Sequence, residues 1–175
     1  MASSRVLISS QVLTGTAASV TFSSIPSGYK DLIVKMSIRN NGDNGNNAAA
    51  AYLQLNGDTT SNYSWTYIYA NNTSPTSGQT GSYTDIEGYF ISNGSSSTAS
   101  TFANSEYYIP NYNSSAAKPI SYVGAPETNS TSLDSNSVGA ALYRGTSPIT
   151  SLKIQRVYGS SFVAGSSFYL YGLAN

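Results

Sequence analysis

A chain of 175 residues with no histidine and no cysteine lacks the commonest general acid–base and the softest metal ligand and nucleophile. Catalysis, metal binding, cofactor attachment and disulfide stapling are therefore all expected to be absent. Its 8 basic and 8 acidic side chains cancel, and only 9% of residues are charged against about 25% in an average domain. With no two Lys or Arg adjacent, the basic stripe of a nucleic-acid binder is excluded, and near-zero net charge favours association.

The N-terminal stretch MASSRVLISSQVLTGTAAS has one arginine and no continuous apolar core, so no secretory leader is expected. No run approaches the apolar length of a membrane helix. Residues 1–18 read as an N-terminal arm or first strand, and residues 19–175 as one domain. Period-two alternation dominates from there on. It predicts strands over Val6–Leu13, Ser19–Ile25, Asp31–Arg39, Ala50–Leu55 and Tyr63–Tyr69. The series continues with Asp85–Ser92, Thr101–Ile109, Ile120–Ala125, Val138–Tyr143, Ser151–Tyr158 and Ser167–Leu173. In the third strand Leu32, Val34, Met36 and Ile38 share one face. Gly/Asn/Ser clusters at Asn40–Asn47, Asn71–Ser82, Asn93–Ser97 and Asn129–Asn136 read as turns and loops. The Ala48–Ala51 run is too short to read as a helix. Short strands with polar turns and no intervening helices indicate an all-β, antiparallel sandwich or barrel.

The densest local signal is Tyr63-Ser64-Trp65-Thr66-Tyr67-Ile68-Tyr69. On a strand Tyr63, Trp65, Tyr67 and Tyr69 share a face. That face reads first as sandwich core with phenol tips at the rim. An interaction surface for a protein partner, or a platform for sugar rings, are the alternatives. Asp85 and Glu87 lie two apart and point to one face, at a spacing within reach of a glycosidase carboxylate pair. A solvated or salt-bridged face is the expected reading. Asn41-Gly42-Asp43-Asn44-Gly45 resembles an oxygen-rich cation loop but has a single carboxylate, and the expectation is a plain Asn/Gly loop.

Four segments, VTFSSIPSGYKDLIVKMSIRN (20–40), LQLNGDTTSNYSWTYIYANN (53–72), TFANSEYYIPNYN (101–113) and ITSLKIQRVYGSSFVAGSSFYLYGL (149–173), together resemble small structural proteins of tailed bacteriophages, notably those of cyanobacteria. The resemblance implies a jelly-roll-like β-sandwich in a virion, commonly a trimer. Such a protein serves as head decoration (cement) bound to the major capsid protein, or in the tail and fibre apparatus. The fibre alternative implies recognition of bacterial surface polysaccharide. No catalytic residue belongs to the pattern, and neither nucleic acid nor membrane is an expected partner.

Overall fold

Alternating burial builds this molecule, most regularly in KPISYVGA, and the segment DLIVKMSI lies at its centre, buried on both faces over its first half. In the computed structural model, which describes residues 4–42, 48–71, 74–126, 135–156 and 161–174, Leu32, Val34, Met36 and Ile38 of that segment are all buried in the core. The described residues form twelve strands. They are Arg5–Val12 (β1), Ser19–Phe22 (β2), Asp31–Ile38 (β3), Ala48–Leu55 (β4), Tyr63–Asn71 (β5) and Ser74–Tyr83 (β6). Then come Ile86–Asn93 (β7), Ala103–Ile109 (β8), Lys118–Ala125 (β9), Ser135–Tyr143 (β10), Leu152–Arg156 (β11) and Ser167–Leu173 (β12).

The strands form two antiparallel sheets. The larger runs β1-β12-β3-β8-β9-β10-β5-β6 and the smaller β2-β11-β4-β7. The chain is thus an all-β, antiparallel sandwich. Eight strands alternate between layers: β1, β3, β8 and β12 lie in the large sheet, and β2, β4, β7 and β11 in the small one. The pairs β5–β6 and β9–β10 extend the large sheet beyond β8. Between the layers, Val20, Phe22, Leu53, Leu55, Ile86, Leu152 and Ile154 of the small sheet meet Leu32, Val34, Tyr107, Ile109, Ile120, Phe168 and Leu170 of the large one.

Two expectations change. Asn71–Ser82, expected as a loop, is largely strand, because Ser74–Tyr83 pairs with β5 along its length. The sequence SPTSGQTGSY has no apolar alternation to announce this. As an edge strand it needs only backbone pairing, and all of its side chains are exposed or half-buried. The strand expected to reach Tyr158 is described to Arg156, and Tyr158 lies outside the described residues.

Charge serves here mainly to hold backbone. Lys118 is fully buried, and its ammonium donates to the carbonyls of Ser114 (2.9 Å), Ser147 (3.2 Å) and Ala116. Three donors thus meet three acceptors with no carboxylate involved. Arg39 donates to the carbonyls of Ser95, Ser97, Thr98 and Thr101 and so closes the 95–101 loop. Buried Asp31 accepts from the Tyr108 hydroxyl (2.9 Å) and the Asn111 amide (2.8 Å). Among the described residues the one ion pair is Lys35–Glu106, at 2.9 Å across β3 and β8.

Tyrosine and glycine are used together. Gly139 on β10 is registered with Tyr122 on β9 and Tyr67 on β5, and a Cβ there would run into the Tyr122 ring. Gly78 stands in the same relation to Tyr67, and a Cβ on Gly172 would run into the ring of Tyr29, which precedes β3. Rings lying over cross-strand glycines let the sheet bury large phenols without a side chain beneath them. Gly139→Ala is expected to destabilise the fold by about 1–3 kcal/mol through overpacking. A urea titration followed by tyrosine fluorescence reads this as a lowered midpoint with unchanged slope.

Candidate interaction surface

The aromatic strip points inward. Tyr63 is fully buried and stacked on Tyr143, with ring centroids 4.9 Å apart. Its hydroxyl shares its single proton between the carbonyls of Leu55 and Asp58, each at 3.1 Å, and accepts the Leu55 amide at 3.0 Å. Burial is the main reason its ionisation is pushed well above the ordinary phenol range. Trp65 is buried among Tyr67, Tyr83 and Tyr89. Tyr67 and Tyr69 are half-buried and stack on Tyr89 of β7, at 4.3 Å and 5.9 Å. The strand does bring all four rings to one face. That face closes on β7, so Tyr63 and Trp65 are core and only Tyr67 and Tyr69 reach the rim.

Closure over β7 also settles the two carboxylates. Asp85 and Glu87 were expected on a solvated or salt-bridged face. Instead both are buried, and one oxygen of each (Asp85 Oδ1, Glu87 Oε1) has no hydrogen-bonding partner. β7 packs over the inner face of the large sheet, where Ile86 and Ile91 lie in the core and Tyr89 stacks on the rings of β5, and the two acids are taken out of water with it. Burial pushes Asp85 up to about 6, and burial followed by the Asp85 charge pushes Glu87 up to about 7. A groove of about 350 Å³ on the outer side of the small sheet is lined by Tyr52, Asp85, Lys153, Gln155 and Arg156 with Ala18 and Ser19. Glu87 is not among the residues lining this groove.

The turn acid Asp58 behaves oppositely. Burial raises it, but hydrogen bonds from Asn62, Thr60 and Tyr143 outweigh that and hold it at about 2. In the cation-like loop, Asp43, Asn44 and Gly45 lie outside the described residues.

The most exposed apolar surface lies elsewhere, on the outer face of the large sheet. Strand register aligns Ile68, Val138 and Val123 directly across β5, β10 and β9. The same row continues through Glu106 and Lys35, which neutralise each other, to Tyr169. Toward β1 the face carries Tyr171, Leu7 and Val12. Leu7, Val12, Ile68, Val123 and Val138 are each half exposed or more, and they are five of the seven large apolar side chains in the described residues that stand out into solvent. Beside the row, Ser64, Thr66, Gln79, Ala140 and Leu142 line an open depression of about 390 Å³. An antiparallel sheet with one solvated face ordinarily turns polar residues outward, and contiguous exposed apolar surface marks a contact site. Sequence reasoning missed this row. Its only trace there is an apolar residue at the polar phase of each strand, as with Ile68 beside Ser64 and Thr66.

No protein-family model matches the chain, and no curated protein matches it in sequence.

Two outcomes follow from the buried side. Trp65→Ala removes a packed indole and is expected to cost about 3–5 kcal/mol, read as a drop in thermal midpoint. The raised acids make stability depend on pH. Unfolded, Asp85 and Glu87 release their protons near 3.8 and 4.5, but folded only near 6 and 7. Between those limits the folded chain binds more protons, so stability falls as pH rises from about 4 to about 7, by on the order of 2–3 kcal/mol per group. Asp58 adds the opposite slope below about pH 4, where its stabilisation is lost on protonation. Urea midpoints measured from pH 3 to 8 should peak near pH 4–5, and Asp85→Asn with Glu87→Gln should flatten the fall above that peak.

Proposed function

We propose that this protein is a non-enzymatic structural component of a bacteriophage virion, a head decoration protein of jelly-roll type. It self-associates and binds across joints between major capsid protein subunits. The observation that carries this reading is where the ionisable groups are used. Lys118, Arg39, Asp31 and Asp58 hold the protein's own backbone and turns, Lys35 and Glu106 hold each other, and the accessible face of the large sheet carries an exposed apolar row, Ile68, Val138 and Val123. Stable contact surfaces are depleted of charge in this way. Alternation of eight strands between two layers supports the jelly-roll assignment, and the resemblance of four segments to phage structural proteins supports the virion setting. Bound to the assembled lattice more tightly than to free subunits, such a protein stabilises the head by mass action.

A second reading, a fibre-tip module for bacterial polysaccharide, is favoured by one feature. The groove of Tyr52, Asp85, Lys153, Gln155 and Arg156 combines a ring, an amide and charged hydrogen-bonding groups, as sugar hydroxyls require. The buried half of the Tyr63–Tyr69 strip cannot serve that purpose. Fractionated particles separate the two readings. The decoration role requires the chain in purified heads at a fixed ratio to the major capsid protein. Recovery in tail fractions alone, with glycan binding abolished by Tyr52→Ala, would establish the second.

A further inference from the structure

We infer that the outer face of the eight-stranded sheet is covered by the same face of a second copy of this chain, forming a two-fold pair. The inference adds to the decoration reading the surface through which the chain self-associates, and does not depend on where the pair sits on a particle.

Three observations select a second copy as the occupant. The first is shape. The ridge Ile68–Val138–Val123 lies one row from the depression lined by Ser64, Thr66, Ala140 and Leu142, on the same strands. A two-fold axis running along the rows, between ridge and depression, lays each copy's ridge over the other's depression with like strands stacked. Sheets pack face to face about 10 Å apart in this manner, and a two-fold contact requires one self-complementary patch. The second is charge. The acidic and basic side chains in the central row, Glu106 and Lys35, are paired to each other at 2.9 Å, so that row brings no net charge to the contact, and Arg144, which lines the depression, is held by the Gly81 carbonyl at 3.0 Å. The third is area. Eight strands about 4.8 Å apart and about eight residues long span roughly 900 Å² per copy, against about 800 Å² per partner in a stable complex. The pair is the unit this geometry builds, in place of the trimer that the resemblance implies.

Sedimentation velocity on the full chain at micromolar concentration tests it. The expected result is the mass of two chains, with Val138→Glu shifting the population to monomer and weakening association by at least about a hundredfold. The circular dichroism spectrum should remain that of the wild type. Val138→Thr, close to valine in shape, shifts the equilibrium in the same direction by less and keeps the test decisive should the glutamate variant misfold. Lys153→Glu, on the outer side of the small sheet, should leave the pair intact. A wild-type monomer, a mass of three chains, or a pair indifferent to both Val138 variants would overturn the inference. A monomer would also remove self-association from the decoration reading, while the virion role itself stands or falls on particle composition.

Discussion

Everything in this sandwich leans on the burial of β7. By hydrogen bonding it is an edge strand of the small sheet, yet it is packed over the inner face of the large one. Ile86 and Ile91 enter the core, and Tyr89 packs against the same core beside the aromatic rings of β5. A strand in that position ties the small sheet to the β5 end of the large sheet. It also takes two carboxyl groups out of water, and burial disfavours their charged forms. The tyrosine stack and the raised acids are thus one arrangement seen from its apolar and its polar side.

The rest of the polar inventory shows how a chain with so few charges keeps its loops in place. Ion pairing between long side chains is worth little at a surface. Here a cation instead collects several carbonyls of one loop, as Arg39 does over 95–101, or fills a pocket of three carbonyls, as Lys118 does. A charge-assisted bond to a carbonyl is stronger than a neutral one.

How much of this is legible in the sequence depends on the kind of pattern. Segments with one wet and one dry face announce themselves, and β3, β8 and β12 lie where their alternation puts them. Ser74–Tyr83 does not, because an edge strand borrowed by a neighbour carries no alternation of its own. The Tyr63–Tyr69 strip shows which rings share a face but not which way the face turns, since period two is symmetric between inside and outside. The same ambiguity hid the burial of Asp85 and Glu87. The row Ile68–Val138–Val123 is dispersed over three strands, and only register brings it together. Single apolar residues in otherwise polar phases are too common to announce a surface.

Asn56-Gly57 has a consequence for how the protein ages. An asparagine followed by glycine is the sequence most prone to succinimide formation, in which the following amide nitrogen attacks the side-chain carbonyl carbon. Here that side chain is clamped: its oxygen accepts the amides of Thr150 and Ser151, and its nitrogen donates to the Pro148 carbonyl at 2.9 Å. Asn56 is held at a φ of 53° and Gly57 at 66°. The same bonds that tie this turn to the 148–151 segment slow the ring closure. Chemical damage at this dipeptide therefore becomes a clock that runs fast only in chains that have lost their fold.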